Sequence, residues 1–134
     1  MFVCYSHRNG VLDIATTDTD MRGDFAASIA LGQAFVVDVA TADVATLARI
    51  ALADCPALAR KGDGWIGAGT HPAQPYLEAM LRMHGVGTTY NVRDIRFGPH
   101  DNADRIILTF LSNASTWRGE TARTVKARLK AMLK

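Results

Sequence analysis

Six basic side chains are concentrated at the end of this sequence, and their type and spacing favour a binding role. Residues 117–134 hold them against a single acidic residue, a balance of +5, whereas residues 1–116 hold nine Lys and Arg against twelve Asp and Glu, a balance of −3. Guanidinium and ammonium groups at this density can contact nucleic-acid phosphates or an acidic protein surface. We name these six residues the basic cluster: Arg118, Arg123, Lys126, Arg128, Lys130 and Lys134.

Four members of the basic cluster recur at helical spacing. From Arg123 to Lys134 they occupy positions i, i+3, i+7 and i+11, which places them in one line along a helix, with Arg118 and Arg128 to the side. Basic residues near a helix C-terminus also complement the helix dipole and solvate an outer face, so the pattern alone does not require a ligand. Because no recognition helix, RNP pattern or interleaved aromatic residues accompany the line, we expect any contact with nucleic acid to involve its backbone and not to be sequence-specific.

The residue types used in metal centres and in nucleophilic catalysis are scattered along the chain. The four histidines show no HxxxH or HExxH spacing, and Cys4 and Cys55 are far apart without a CxxC pair. Gly64, Gly67 and Gly69 resemble a phosphate-binding loop, but two prolines intervene before the next helix and no Lys-Ser or Lys-Thr follows. The sequence therefore predicts no catalytic, cofactor-binding or metal-binding residue. A catalytic triad assembled from distant positions stays open as an alternative, since such triads leave no local signature.

Two amphipathic helices are predicted to position the basic cluster. Apolar residues recur at helical spacing over Asn102–Ala114 and again over Trp117–Lys134, with two residues between these segments. A connection this short brings consecutive helices together as a hairpin. We expect Phe110 and Leu111 to be among the most buried side chains. Gly119 would fall in the first turn of the second helix, where Gly costs about 1 kcal/mol relative to Ala, and we expect close approach by another backbone or by the preceding Trp ring to offset that cost.

The N-terminal segment has the pattern of a β-hairpin. Phe2–His7 and Val11–Thr16 flank Arg8-Asn9-Gly10, and Asn-Gly favours a two-residue type I′ turn because both residues tolerate positive φ. This turn pairs Tyr5 with Ile14 and collects apolar residues on one face of the ribbon. A slip of one residue would mix the apolar and polar faces, so the register is predicted together with the hairpin.

A third strand and a helix are predicted after the hairpin. The β-branched content of Ala34–Val39 favours a strand. Thr41 is suited to cap a following helix, and Pro56 is expected to end or kink that helix because it donates no backbone hydrogen bond. The expected buried face of this helix consists of Val44, Leu47, Ala48, Ala51 and Cys55.

One more helix is predicted in the middle of the chain. Pro75 is suited to the first helical position, and the helix is expected to run to His84 and to stop at Gly85. Glu78 and Arg82 are four residues apart, so an ion pair on the surface of this helix is expected.

Several segments are expected to be loops or allow two interpretations. Thr17–Asp24 is polar and acidic and indicates a loop, Lys61–Gly64 indicates a turn, and the Gly and Pro residues of Trp65–Gln74 indicate an ordered loop. Phe25–Leu31 is compatible with a helix or a strand, because short apolar runs do not decide between them. Asn91–Phe97 is compatible with a short helix or an irregular turn.

The C-terminal segment resembles a group of known sequences. The run Ile106–Glu120, with Ala122-Arg123 and Lys126 after it, is similar to the C-terminal segment of uncharacterised small proteins of bacterial plasmids, integrated elements and phages. No activity and no functional residue follow from this resemblance. It implies a mobile-element setting, in which small proteins often bind host machinery, including as inhibitors of defence systems.

These patterns predict a single α+β domain over residues 1–134, with an N-terminal hairpin, extended by a third antiparallel strand, packed on about four helices and ending in a helical hairpin. The most apolar window, residues 25–42, contains Gln33 and Asp38 and is too short for a bilayer, and no basic-then-apolar leader opens the sequence, so we expect a cytoplasmic protein without membrane contact. We expect a non-catalytic protein-binding module with a protein partner and no cofactor. The alternatives are a nucleic-acid-associated protein that uses the basic helix, and an enzyme.

Overall fold

A computed structural model describes residues 2–8, 11–17, 22–23, 26–32, 34–62, 69–97 and 101–133. These residues form an α+β fold with a three-stranded antiparallel sheet and helices that account for much of the remainder. The elements, in chain order, are β1 (Phe2–Arg8), β2 (Val11–Thr17), α1 (Ala26–Ala30), β3 (Ala34–Asp38), α2 (Val44–Asp54), α3 (Gln74–Met80), α4 (Ala103–Asn113) and α5 (Glu120–Met132).

The sheet has the strand order β2-β1-β3, with β1 in the centre. Tyr5 of β1 pairs with Ile14 of β2, which confirms the register predicted from the sequence. The turn residues Asn9 and Gly10 lie outside the described residues. The predicted third strand is also confirmed, because β3 pairs antiparallel with β1 and places Val37 opposite Val3. Each β1 residue from Phe2 to Ser6 therefore has a partner on both sides.

The two ambiguous segments adopt different structures. Residues 26–30 form the short helix α1, which precedes β3. Residues 91–97 form irregular turns, with one antiparallel bridge between Arg96 and Asn102. Most of the predicted acidic loop, at positions 18–21 and 24, lies outside the described residues, as do positions 63–68 of the predicted turn and glycine-rich loop. The described remainder of that loop, residues 69–73, leads irregularly into α3 at Gln74.

Helix α2 is capped by Asp43 and not by Thr41, which corrects the expectation from the sequence. The Asp43 carboxylate accepts a hydrogen bond from the Thr46 amide at 2.8 Å. The Thr41 hydroxyl donates to the Asp38 carbonyl at 3.3 Å, because Thr41 belongs to the turn that leaves β3. Helix α2 ends at Asp54 and a 3₁₀ turn follows at Pro56–Ala59, as expected from the missing amide of Pro56.

Helix α3 is shorter than predicted. It spans Gln74–Met80 and is followed by turns that lead to Gly85, whose φ of 77° suits glycine, so the predicted end at His84 is wrong. The expected pairing of Glu78 with Arg82 is replaced by an ion pair of Glu78 with Lys61 at 2.9 Å. The Lys61 ammonium lowers the pKa of the Glu78 carboxyl, mainly through this hydrogen bond. The pair ties α3 to the segment that follows the 3₁₀ turn.

The core lies between α2, α3, α4 and α5. Phe110 of α4 is fully buried, as predicted, whereas Leu111 is only half-buried and that part of the prediction is wrong. The reason is helical geometry, since Ile106, Ile107 and Phe110 share one side of α4 and Leu111 is displaced by about one quarter of a turn from their centre. None of the helices in the described ranges combines the length and the apolar character that crossing a bilayer requires.

Helices α4 and α5 form the predicted hairpin, but their connection is longer than the predicted Ser115-Thr116. Helix α4 ends at Asn113, and α5 begins at Glu120 instead of Trp117. The side chain of Trp117 is buried in the core and Gly119 has a φ of 114°, so neither residue continues a helix. The segment from Ala114 to Gly119 therefore crosses the end of the hairpin as an irregular connection.

Candidate binding surface on the C-terminal helix

The members of the basic cluster lie on different sides of α5. Its inner side carries the buried residues Thr121, Ala122, Val125 and Leu129. Arg123 and Lys130 lie on the opposite, exposed side, and Arg118 is exposed in the connection before the helix. Lys126 and Arg128 occupy the two flanks between the inner and outer sides and are half-buried. Lys134 lies outside the described residues.

We name Arg118, Arg123 and Lys130 the outer basic surface. In the described part of the chain none of the three has a carboxylate within 4 Å, and the ion pair found there joins Lys61 to Glu78 instead. The Arg118 guanidinium donates one hydrogen bond, from Nε to the Ser115 carbonyl at 3.3 Å. Three positive charges therefore face solvent without an ion pair among the described residues, and Glu120, between Arg118 and Arg123 in the sequence, is the acidic residue of this segment.

Lys126 has a structural role that the sequence did not indicate. Its ammonium donates to the Ala114 carbonyl at 2.7 Å and to the Trp117 carbonyl at 2.6 Å, and it lies 5.6 Å from the centre of the Trp117 ring. Burial lowers the pKa of this ammonium, and the nearby charges of Lys130 and Arg118 lower it further, while Cys55 acts weakly in the opposite direction. The Lys126 side chain thus binds carbonyls at the end of α4, where the helix dipole favours a cation.

Arg128 lies on the other flank of α5 and contacts a different part of the molecule. Its Nη2 atom donates a long hydrogen bond of 3.4 Å to the carbonyl of Gly87, in the turns after α3. Arg118 and Lys130 therefore lie close enough to Lys126 to lower the pKa of its ammonium, whereas Arg128 lies on the opposite flank of α5. Of the line predicted from the sequence, Arg123 and Lys130 are exposed and Lys126 is half-buried, so the three described members do not share one environment.

A polar network missed by the sequence reasoning fixes the connection that carries Arg118. The Trp117 indole Nε1 donates to the Asp54 carboxylate, at the end of α2, at 2.7 Å. The buried His71 accepts the Ala73 amide proton at Nδ1, so its Nε2 carries the ring proton and donates to the Thr116 hydroxyl at 3.2 Å. The run Trp117-Arg118-Gly119 is a local signal of such a junction, but nothing local identifies Asp54 or His71 as partners.

The backbone conformation at position 119 requires glycine. A Cβ atom placed on Gly119 would meet nothing within 4 Å, so the expected close approach of a backbone or of the Trp117 ring is wrong. The φ of 114° and ψ of −177° fall in a region that is essentially restricted to glycine. Gly119 therefore sets the direction in which the chain enters α5, and with it the orientation of the outer basic surface.

The titratable residues that were candidates for chemistry are dispersed in the structure as well. His71 is buried in the network described above, His84 is exposed beside Gly85, and His100 lies outside the described residues. Cys4 is a buried residue of β1, and Cys55 is half-buried at the end of α2. Among the described residues no group of three His, Cys, Asp or Glu side chains is arranged to hold a metal ion.

No protein-family model matches the chain, and the comparisons with curated proteins and with solved structures found no match either.

Proposed function

We propose that this protein is a non-catalytic binding module that contacts an acidic surface of a protein partner through Arg118, Arg123 and Lys130. The observation that carries the proposal is the exposure of these three positive charges with no carboxylate within 4 Å among the described residues. Charges of one sign on a surface attract a partner of the opposite sign and orient it during encounter. The resemblance of the C-terminal segment to proteins of mobile elements suggests host machinery, including defence systems, as the class of partner.

The rigidity of the surface supports a docking role. Lys126 and Gly119 fix the two ends of the connection that holds Arg118, and the buried Trp117 anchors its middle to α2. A surface that is already ordered loses little conformational freedom when it binds, which favours affinity.

A protein partner is favoured over single-stranded nucleic acid by the placement of the aromatic residues. The exposed aromatic side chains among the described residues are Phe35, Tyr90 and Phe97, and none belongs to α5 or to the connection before it. Trp117, the aromatic residue nearest to the outer basic surface, is buried. Proteins that bind single strands combine positive charge with exposed aromatic platforms, whereas an acidic protein surface needs only the charges.

The proposal is tested with two double variants that remove the same charge from different places. Arg123→Gln with Lys130→Gln removes two charges of the outer basic surface, and Arg82→Gln with Arg96→Gln removes two exposed charges elsewhere. Each tagged protein is used to capture partners from an extract of the native host at low salt. We expect a protein that is retained by the wild type and by the Arg82/Arg96 variant, is released by added salt, and is lost with the Arg123/Lys130 variant. Equal capture by all three proteins would contradict the proposal.

The same proteins distinguish the nucleic-acid alternative. Binding to a mixed-sequence duplex is measured against salt concentration, because each phosphate that a protein neutralises releases counterions and steepens the loss of affinity with salt. We expect no salt-sensitive duplex binding by the wild type at micromolar concentration. Micromolar duplex binding that the Arg123/Lys130 variant loses would assign the surface to nucleic acid.

A further inference from the structure

A groove of about 430 Å³ lies on the opposite flank of α5 from Lys126, between residues 87–92 and the end of the helix. We call it the 87–92 groove. Its wall includes Thr88, Thr89, Tyr90, Asn91, Arg128 and Met132. Among the described residues that line the groove, Arg128 is the only charged one, and none is a carboxylate. The groove is therefore electropositive and polar, although the sheet and most of the chain before α5 carry a negative balance.

The hydrogen-bond donors of the Arg128 guanidinium have few partners within the protein. Its guanidinium can donate five hydrogen bonds, but in the described part of the chain it makes the single long contact of 3.4 Å with the Gly87 carbonyl. Its Nε is covered by protein and has no hydrogen-bond partner there, and no carboxylate lies within 4 Å of the guanidinium. A partly buried cation without a counter-charge is costly, and an anion in the groove would relieve that cost.

Asn91 and Thr89 also line the groove. The side-chain oxygen of Asn91 accepts the Arg93 amide at 2.9 Å, which leaves its NH₂ group able to donate, and the Thr89 hydroxyl can donate as well. A guanidinium, an amide NH₂ and a hydroxyl together match the oxygens of a phosphate or carboxylate group.

The walls of the groove are held in place by the backbone. The Gly85 carbonyl accepts hydrogen bonds from the amides of Thr88, Thr89 and Tyr90 at 3.2, 2.8 and 2.9 Å. The Gly85 amide in turn donates to the Asp43 carboxylate at 2.7 Å. A site on a segment that is tied in this way is formed before a ligand arrives.

Tyr90 offers a second point of contact. Its ring packs against Gly85, where an added Cβ atom would lie 3.2 Å from the ring edge, yet 55% of the residue is exposed. An aromatic ring that is supported on one side and open on the other can stack against a planar group of a ligand.

We propose that the 87–92 groove binds an anionic small molecule, whose phosphate or carboxylate group pairs with Arg128 and whose planar group stacks on Tyr90. This site is separate from the outer basic surface and does not depend on the function proposed for that surface. The phosphate and carboxylate sources share the same chemistry at Arg128 and are distinguished by the choice of probe.

The test is a calorimetric titration of the full chain with adenosine monophosphate and with benzoate, with adenosine as the uncharged control. We expect saturable binding of at least one anion with a Kd at or below about 1 mM, the range of a weak specific ligand, and no binding of adenosine. Saturable binding of adenosine monophosphate would show that the groove accepts a phosphate, and saturable binding of benzoate would show that it accepts a carboxylate. Absence of saturable binding of both anions in this range would overturn the proposal.

Three variants locate the binding. Arg128→Gln removes the guanidinium, and Asn91→Asp keeps the oxygen that accepts the Arg93 amide but adds a negative charge to the groove. Each should weaken binding about tenfold or more, because both remove charge-assisted hydrogen bonds. Lys130→Gln removes a charge from the outer side of the same helix and should bind like the wild type. If Lys130→Gln weakens binding as much as Arg128→Gln, or if Asn91→Asp binds normally, the anion lies outside the groove and the assignment is wrong.

Discussion

At the scale of single residues, Asp43 joins two parts of the chain that are far apart in sequence. One carboxylate oxygen caps α2 by accepting from the Thr46 amide, and the other accepts from the Gly85 amide at 2.7 Å. Thr41 and Asp43 are both favourable cap residues, so a local pattern does not choose between them. The choice is made by the turn after β3, in which the Thr41 hydroxyl is already bonded to Asp38.

The charge of Asp43 links stability to pH. Partial burial opposes ionisation, but the hydrogen bonds from Gly85 and Thr46 outweigh it, so the pKa of Asp43 is lowered from its ordinary value of 3.8. Because the folded-state pKa is below the unfolded value, the stabilisation is complete above 3.8 and is lost as the pH falls through the folded-state pKa.

Asp43→Asn is expected to measure the contribution of the hydrogen bond from Gly85 to stability. The Asn oxygen can still cap α2, but the NH₂ group would oppose the Gly85 amide, so the free energy of unfolding should fall by about 1–2 kcal/mol at pH 7. Asp43→Ala loses the cap as well and should cost about 1 kcal/mol more. Urea unfolding at pH 7 and at pH 3 measures these values. The gap between wild type and Asp43→Asn should narrow at pH 3, and equal stability of the two proteins at pH 7 would contradict this account.

At the scale of secondary structure, α4 and α5 show what periodicity can and cannot predict. The apolar repeats correctly predicted both helices and their antiparallel hairpin, because an amphipathic helix needs a partner for its buried side. The start of α5 was predicted three residues too early. Hydrophobic periodicity counts Trp117 as part of the helix, whereas its side chain enters the core from an irregular connection that Gly119 ends.

The end of α4 depends on a residue of α5. Because the Lys126 ammonium binds the Ala114 and Trp117 carbonyls, Lys126→Gln should lower the free energy of unfolding by about 1–2 kcal/mol, since the shorter Gln side chain does not replace both bonds. Arg123→Gln, three residues earlier and fully on the outer side, should change it by no more than about 0.5 kcal/mol. Chemical unfolding measures the free energy of unfolding of both single variants. Unchanged stability of Lys126→Gln would mean that the Lys126 side chain lies in solvent.

At the scale of the whole molecule, local and long-range information contributed differently. The register of β1 and β2 was predictable because two short strands and an Asn-Gly turn specify it locally. The contact of the sheet with the helices was not predictable, because it joins Thr16 of β2 to Thr121 of α5, whose hydroxyl oxygens are 2.9 Å apart. The 87–92 groove was missed for the same reason, since its shape depends on Asp43 and Arg128 rather than on the residues of the turns themselves.

Truncating a fully buried core side chain is expected to lower the stability of the whole fold. Phe110 is fully buried among residues of several helices, so Phe110→Ala should lower the free energy of unfolding by about 3–5 kcal/mol through lost contacts and a residual cavity. Leu108→Ala is a matched control on the same helix, because Leu108 is 57% exposed and should cost no more than about 0.5 kcal/mol. Equal losses for the two variants, measured by urea unfolding, would mean that α4 presents a different side to the core.

The hydrogen bond between Trp117 and Asp54 has a consequence for spectroscopy. Trp117 belongs to the connection that holds Arg118; its side chain is buried, and its indole N–H donates to the Asp54 carboxylate at 2.7 Å. Indole fluorescence shifts to longer wavelength when the ring becomes exposed to water. The sequence has two Trp residues, so replacing Trp65 by Phe leaves Trp117 as the source of the indole emission. The emission wavelength then reports whether Trp117 stays buried at the junction of α2, α4 and α5. It therefore gives a signal for binding at the outer basic surface without an attached dye.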